Sequence, residues 1–132
     1  MNGFELIKEA AKRVECKTLM DKIYANDPSH WPYGLSPDQH DDLSLIRKQA
    51  SGDCVGFAGW QNRKDADGTR VGYYTIGVLP EYQRQGFAKQ AVAAMIERHK
   101  DEVDTVRAAI VPGNAPSLHL ARSIGVPIQT SF

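Results

Sequence analysis

The sequence predicts an α+β fold, with a mixed, mostly antiparallel central sheet flanked by helices. Three segments rich in strand-forming residues, at 43–48, 54–61 and 69–78, are separated by short turns, which favours an antiparallel meander. A helical pattern over 86–100 then lies between the third strand and an apolar strand at 105–111. A strand, helix, strand order implies a right-handed crossover, so we expect those two strands to be parallel.

One strand and one helix precede the meander. Residues 4–9 alternate apolar and polar side chains, whereas the apolar residues over about 13–25 recur at helical spacing. The two alanines before that helix also allow an earlier start. Residues 26–37 contain three prolines and form a loop. Ser36 and Gln39 then have the form of a capping box, which predicts a helical turn.

Glycine and proline mark the ends of the later elements. Gly52 and Gly68 lie in the two turns of the meander. Pro80 has no backbone N–H to donate and ends the third strand of the meander. A second helix is predicted over 115–124, and Gly125 ends it.

Composition is typical of a globular protein. The 132 residues predict a single domain over 1–132, with 42% hydrophobic and 24% charged residues. Sixteen basic and sixteen acidic residues give a net charge of zero. Nucleic acids and anionic membranes attract basic proteins, so we expect neither as a partner. No stretch reaches the roughly 18 apolar residues of a membrane span.

Cysteine usage and the N-terminus lead us to expect a cytoplasmic protein. Cys16 and Cys54 are far apart and outside any C-x-x-C motif, so neither a disulfide framework nor a metal site is expected. The first residues lack the basic-then-apolar order of a signal peptide. Metal-ligand spacing is also missing among the histidines, which we expect to be surface or capping residues. These are His30, His40, His99 and His119.

The most informative segment connects the third strand of the meander to the next helix, over residues 78–88. Small residues lie where the helix begins, so unpaired backbone N–H groups converge there. Gly86 and Ala88 would let a ligand approach the backbone, and Arg84 adds positive charge. The segment predicts a phosphate or pyrophosphate site, although it is neither a P-loop nor a G-x-G-x-x-G motif.

This segment resembles the hallmark of the GNAT superfamily of N-acetyltransferases, V-x-P-x-x-[QR]-x-x-G-x-[GA]. The matching residues are Val78, Pro80, Gln83, Gly86 and Ala88. Asn114, Ser117 three residues later and Gly125 match a second signature of the family. The resemblance covers residues 43–125 well and the N-terminal third only in its order of elements.

The resemblance implies that acetyl-CoA is the co-substrate and lies in a gap between the fourth and fifth strands. Its pantetheine arm would pair with the fourth strand, and its pyrophosphate would lie on the loop N–H groups. The acetyl carbonyl would meet the N–H of Val78 or Leu79, where negative charge develops. The implied cofactor-binding residues are Ile76, Gly77, Val78, Gln83, Arg84, Gln85, Gly86, Phe87, Ala88, Asn114 and Ser117.

Two catalytic groups of the family are missing. Many relatives carry a tyrosine seven residues after the asparagine, which protonates the departing thiolate, and that position is Ala121. Relatives often place an acidic base on the fourth strand, where this chain has Tyr73 and Tyr74. One of these tyrosines is expected to face the cleft, where it could order a water or stack on a substrate, with core packing or the sheet surface as the alternative. Glu81 is a conceivable base. The catalytic residues therefore stay unassigned.

Two other segments carry expectations from the family. Residues 31–34, Trp-Pro-Tyr-Gly, fall where relatives build the acceptor side, and predict either a substrate-selecting lid or a hydrophobic clasp over the core. Relatives usually add two strands after the last helix, whereas residues 126–132 allow one short strand. A poorly covered fifth strand predicts either a homodimer that completes the sheet or a domain of a larger assembly.

These expectations lead to two functional hypotheses. The first is an acetyltransferase that moves acetyl from acetyl-CoA to a primary amine of a small molecule or peptide by direct attack, without a metal. The second is a catalytically degenerate module that keeps the fold and serves in CoA binding or assembly. The missing acid and base favour the second hypothesis, and the intact loop over 78–88 favours the first.

Overall fold

The computed structural model describes residues 3–8 and 13–130. Within them, six strands form one sheet in the order β1-β2-β3-β4-β5-β6. The strands are β1 (Phe4–Lys8), β2 (Asp42–Lys48), β3 (Cys54–Lys64), β4 (Arg70–Val78), β5 (Thr105–Ala109) and β6 (Ile128–Gln129). The helices are α1 (Arg13–Asn26), α2 (Phe87–His99) and α3 (Ala115–Ile124). Short 3-10 turns lie at Pro28–His30, Pro37–Gln39, Pro80–Tyr82 and Lys100–Glu102.

The predicted α+β architecture is confirmed. Strands β1 to β4 pair antiparallel, and β4 pairs parallel with β5 after the α2 crossover. The predicted capping box at Ser36 and Gln39 is present. The part of the predicted first strand at Glu9, and the alternative earlier start of α1, lie outside the described residues.

Two strand ends differ from prediction. Strand β3 continues to Lys64 because the polar residues after Gln61 still pair with β4 along the hairpin. Because this end is exposed, its side chains are polar and lack the apolar pattern by which a strand is recognised in the sequence. Strand β5 ends at Ala109, before the predicted end at residue 111. The Ile110 N–H still donates to the Gln129 carbonyl of β6 (2.9 Å), but β6 ends at Gln129, so the pairing goes no further.

Helices cover both faces of the sheet. Leu45 of β2 and Phe57 of β3 pack with α1 on one face. Ile46 of β2 and Trp60 of β3 pack with α2 and α3 on the other. Side chains alternate between faces along a strand, so β2 and β3 are buried from both sides. Among the described residues, no helix has the length and apolar character needed to cross a membrane.

His99 is buried, whereas the sequence analysis had placed it on the surface or at a helix cap. Its imidazole stacks on Trp60 with ring centroids 5.0 Å apart. Its two ring nitrogens lie 2.7 Å from the Asp42 carboxylate and 2.9 Å from that of Glu102. Burial is tolerated because both nitrogens have acidic partners, one of them 57 residues away in the chain.

The C-terminus forms one short strand, as predicted. Strand β6 runs parallel to β5, and the Ala108 N–H donates to the Pro127 carbonyl (2.9 Å). The outer edge of β5 is thereby covered at Ala108 and Ala109. The expectation of a poorly covered fifth strand is corrected at these two residues, and the homodimer stays a prediction.

Gly72 of β4 provides a test of the packing. A Cβ at this position would overlap the indole of Trp60, which is fully buried and has no room to move. We expect Gly72→Ala to lower the free energy of unfolding by about 1–3 kcal/mol, the usual cost of overpacking. Urea denaturation measures the change. Gly113→Ala, where a Cβ meets open space, is the matched control and should stay within about 0.5 kcal/mol of wild type. Equal losses in both variants would contradict this packing.

Candidate functional site

Strands β4 and β5 separate partway along their length. Their pairing covers Val71 with Thr105, Gly72 with Val106 and Tyr73 with Arg107. No later residue of β4 pairs with β5 in the described chain, although β4 continues to Val78. A cleft of about 470 Å³ opens where the two strands part.

A polar clamp joins three strands at the base of this cleft. The Tyr73 hydroxyl donates to Gln129 Oε1 on β6 (3.1 Å) and accepts from Arg107 Nη1 on β5 (3.1 Å). Arg107 Nη2 also donates to Asp65 in the turn between β3 and β4 (3.2 Å). We refer to Tyr73, Arg107, Gln129 and Asp65 as the clamp. It fixes the point at which β4 and β5 part.

The backbone of β4 faces the cleft at alternate residues. The Leu79 N–H donates to the Val55 carbonyl of β3 (2.9 Å), so it points away from the cleft. In an antiparallel pair, hydrogen-bonding groups alternate in direction along a strand. The peptide groups of Ile76 and Val78 therefore point into the gap between β4 and β5.

The loop after β4 is held against that strand by Gln83. The side-chain Nε2 of Gln83 donates to the Val78 carbonyl (3.1 Å), while its backbone N–H donates to Pro80 (3.3 Å). The Gln83 N–H is thus already satisfied. Of the backbone N–H groups of residues 83–88 that could bind an anion, those of residues 84–88 therefore remain.

Helix α2 begins directly after Gly86. Gly86 is the N-cap with φ 84°, a left-handed conformation that favours glycine, and no described side chain caps this helix end. Arg84 is also left-handed, with φ 64°. The Phe87 side chain is buried edge-on against Phe4, with ring centroids 6.0 Å apart, so Phe87 offers only its backbone to a ligand. Gln85 is exposed and Ala88 is half-buried.

Asn114 and Ser117 lie at the cleft on the start of α3. The Asn114 side-chain oxygen accepts from the Ser117 N–H (3.3 Å), which caps the helix. The oxygen of the amide is thereby engaged, so the NH₂ group is the part of Asn114 that can donate to a ligand.

The cleft has two chemically different sides. The α3 side is mostly apolar and the α1 side mostly polar. The α3 side is lined by Tyr74, Ile76, Ala108, Ile110, Asn114 and Ser117. The α1 side includes His30, Trp31, Tyr33, Gln39, His40, Gln61, Arg63, Tyr73, Thr75 and Gln129. Both Tyr73 and Tyr74 line the cleft, from opposite faces of β4. Glu81 is exposed on the turn after β4 and is not among the lining residues.

The hydroxyl of Tyr74 is a buried donor without a partner. Tyr74 is 8% exposed, and its oxygen makes no hydrogen bond to the described residues. Burial raises the pKa of Tyr74 to about 12, so the phenol stays protonated at neutral pH. An unsatisfied hydroxyl beside a cleft is poised to donate to a ligand.

His40 also lies inside the cleft, which differs from the surface position expected for it. Its ring covers Gly59 of β3 and meets Phe57 edge-on, with centroids 6.1 Å apart. Burial lowers the pKa of His40 from its ordinary value of 6.5, so the ring is neutral at neutral pH. Its Nδ1 makes no hydrogen bond to the described residues. His119 is exposed, as expected.

The Trp31 loop packs as the predicted hydrophobic clasp and also borders the cleft. Trp31 is half-buried and packs on Phe57, with ring centroids 6.2 Å apart, which is the hydrophobic clasp. Tyr33 is 71% exposed and lines the cleft, and the substrate-selecting role of this loop stays a prediction. Among the residues that the structure describes, no cluster of three or more His, Cys, Asp or Glu could hold a metal ion.

Comparison with known proteins places this geometry in context. The model of the acetyltransferase (GNAT) family matches residues 13–126. No curated protein matches the chain.

Several solved structures share the fold at low sequence identity. An aminoglycoside N-acetyltransferase in complex with CoA has a TM-score of 0.72 and 19% identity, over 98% of this chain and 90% of that one. A ribosomal-protein-alanine N-acetyltransferase from Brucella melitensis biovar Abortus has a TM-score of 0.71 and 14% identity, over 98% and 95%. The yncA protein from Salmonella typhimurium, with its cofactor acetyl-CoA, has a TM-score of 0.68 and 16% identity, over 92% and 79%.

The lowered pKa of His40 predicts a pH dependence of stability. The unfolded chain takes up the His40 proton near pH 6.5 and the folded chain only at lower pH. The contribution of the neutral ring is therefore complete above pH 6.5 and is lost as the pH falls below it. We expect wild type to lose more unfolding free energy than His40→Gln between about pH 8 and 5. Urea denaturation at each pH measures this, and parallel curves would contradict the burial of His40.

Proposed function

The chain belongs to the acetyltransferase (GNAT) family of acyltransferase enzymes, and on that premise we propose that it transfers acetyl from acetyl-CoA to a primary amine of a small molecule or peptide. The parting of β4 and β5 beyond Tyr73 carries the proposal. It leaves the peptide groups of Ile76 and Val78 directed into the gap between the strands, and the loop after β4 leads to the start of α2, which no described side chain caps. An extended thioester ligand with a pyrophosphate group matches both features.

In this proposal the pantetheine arm of acetyl-CoA adds to β4 like a short strand. The Ile76 carbonyl and the Val78 N–H supply the hydrogen bonds, because the Val78 carbonyl already accepts from Gln83. Gly77 lies between them with its peptide group toward β3. The pyrophosphate lies on the N–H groups of residues 84–88, with Arg84 adding charge. The Asn114 amide donates to the pantetheine, and Ser117 lies beside it.

The acetyl carbonyl is polarised by the backbone of β4. Of the two N–H groups implied by the resemblance, that of Leu79 already donates to Val55. The Val78 N–H faces the gap but serves the pantetheine pairing, and Val78 is not among the residues that line the cleft. The Ile76 N–H, which also faces the gap and lies beside Tyr74 and Thr75, is therefore the proposed donor to the developing oxyanion. Its direction is fixed in advance by the pairing of β4 with β3, so little reorganisation is needed during the reaction.

The transfer begins when the neutral amine attacks the thioester carbon from the α1 side. The carbon–sulfur bond breaks, and the electron pair leaves on sulfur. His40 accepts the proton that the amine nitrogen loses, because its ring is neutral at neutral pH. These two events leave an acetamide and the thiolate of CoA.

Tyr74 stabilises the leaving thiolate without protonating it. Its pKa of about 12 lies well above the roughly 8.5 of a thiol, so the proton stays on oxygen. A hydrogen bond from the Tyr74 hydroxyl to sulfur would satisfy the partnerless donor and lower the energy of the departing charge. This role compensates for the missing proton donor of the family, whose position is taken here by the fully buried Ala121.

Acetyl-CoA binding tests the cofactor site. We expect micromolar affinity for wild type in isothermal titration and an affinity about 10- to 100-fold weaker for Gly86→Glu, which places a negative charge in the pyrophosphate site. Gly86→Ala is the matched control, because it introduces the same left-handed strain without charge and its Cβ meets Gln90 only at an ordinary 3.4 Å. Its affinity should fall between those of wild type and Gly86→Glu, because the added methyl narrows the approach to the backbone but brings no charge. Equal affinities for all three proteins would contradict the site.

Turnover separates the enzyme from the degenerate module. Release of CoA thiol with a panel of primary amines is expected for wild type, and binding of acetyl-CoA without any release would favour the module. Tyr74→Phe removes one hydroxyl and should lower kcat by about 10- to 100-fold, with little change in the KM for acetyl-CoA. Tyr24→Phe, on the exposed side of α1, is the control and should retain wild-type kcat. An unchanged kcat in Tyr74→Phe would contradict the role of Tyr74.

A further inference from the structure

The α1 side of the cleft carries a positive charge and no negative charge among its described lining residues. The lining contains no Asp or Glu in the described chain, while Arg63 contributes a guanidinium and the remaining polar groups are amides, hydroxyls and imidazoles. An acceptor with several ammonium groups would find no carboxylate to pair with them in such a site, so its binding would be weaker. The charge pattern therefore disfavours polycationic amines.

Arg63 differs from the other arginines of the sheet. Arg47, Arg70 and Arg107, on β2, β4 and β5, each pair with a carboxylate. Arg63, on β3, has no carboxylate within 4.0 Å in the part of the chain that the structure describes. Its Nη2 donates to Gln61 Oε1 at 3.3 Å. The nearby Asp65 is already engaged by Arg107 of the clamp.

Two other carboxylates lie just outside this side of the cleft. Asp38 and Asp41 border a shallow depression of about 310 Å³ that shares His40, Gln61 and Arg63 with the cleft. The Asp41 carboxylate accepts from the Asn62 N–H at 2.7 Å, and Asp38 also has a partner within the fold. Both carboxylates have partners and lie outside the lining of the cleft, whereas the guanidinium of Arg63 lies in the lining and is available to an anionic ligand.

The register places Arg63 at a useful distance from the reaction centre. Gly59, Gln61 and Arg63 lie on the same face of β3 at successive alternate positions. Arg63 lies two such steps, about 13 Å along the strand, from Gly59, which His40 covers, and its guanidinium donates to the Gln61 side chain between them. A single acceptor molecule could place its amine near His40 and its carboxylate at Arg63 only if several bonds separate the amine from the carboxylate.

We propose that the acceptor is an amine that carries a carboxylate several bonds away, such as an ω-amino acid or the N-terminus of a short peptide acid, and that Arg63 binds the carboxylate. This inference rests on the proposed acetyl transfer and names its substrate class. The amine enters along the α1 side toward His40. The carboxylate stays at the rim and pairs with the planar guanidinium through two hydrogen bonds.

A chain-length series tests the inference. CoA release is measured with unbranched ω-amino acids of increasing length, each beside the carboxamide of the same length, which keeps the amine and removes the charge. We expect kcat/KM to favour the acid about tenfold at intermediate lengths and to show no preference at the shortest. The preference should weaken as salt rises, because the Arg63 side chain is exposed.

Two variants assign the preference to one residue. Arg63→Gln should bring the acid-to-carboxamide ratio of kcat/KM close to one, and Arg63→Lys should restore part of it. Arg70→Gln on β4 is the matched control, because this arginine pairs with Asp104 outside the cleft, and it should leave the ratio unchanged.

The outcomes separate this inference from the proposed function. Turnover with equal rates for acids and carboxamides, or with a preference for diamines or aminoglycosides, overturns the inference and leaves acetyl transfer intact. An acid preference that survives Arg63→Gln overturns the role of Arg63. No turnover with any amine, charged or uncharged, overturns the proposed function itself and the inference with it.

Discussion

The clamp at the base of the cleft is the contact on which the rest of the site depends. Tyr73 and Arg107 are the last residues at which β4 pairs with β5. Gln129 links them to β6, and Asp65 links them to the turn between β3 and β4. Because the strands are joined there and part beyond it, β4 keeps unpaired peptide groups in an otherwise hydrogen-bonded sheet. Buried peptide groups require partners, so this gap is suited to an extended ligand.

The parting of the strands also lets both faces of β4 contribute to one cleft. Side chains alternate along β4, so Tyr74 and Ile76 face the apolar side with Asn114 while Tyr73 and Thr75 face the polar side. Two substrates can thus approach the same point from opposite faces of the sheet. In the proposed reaction, the partnerless hydroxyl of Tyr74 on one face would stabilise the leaving sulfur, and the neutral imidazole of His40 on the other would accept the amine proton.

The sequence predicts those features that depend on local constraints. Pro80 and Gly86 determine where β4 ends and α2 begins, and Asn114 caps the next helix, so the loop and the order of elements could be found from motifs and periodicity. His40 could not be placed this way, because it reaches the cleft only by covering Gly59 on another strand. The burial of His99 likewise depends on a carboxylate 57 residues away. Contacts across strands leave no local pattern in a single sequence.

Amide hydrogen exchange, resolved by residue, tests whether acetyl-CoA completes the unpaired edge of β4 as we propose. We expect saturating acetyl-CoA to slow exchange at Ile76 and Val78 and at the N–H groups of residues 84–88. We expect little change at Leu79, whose N–H already donates to Val55. Binding that leaves exchange at Ile76 and Val78 unchanged would contradict the proposal, because the ligand would then lie outside the gap between β4 and β5.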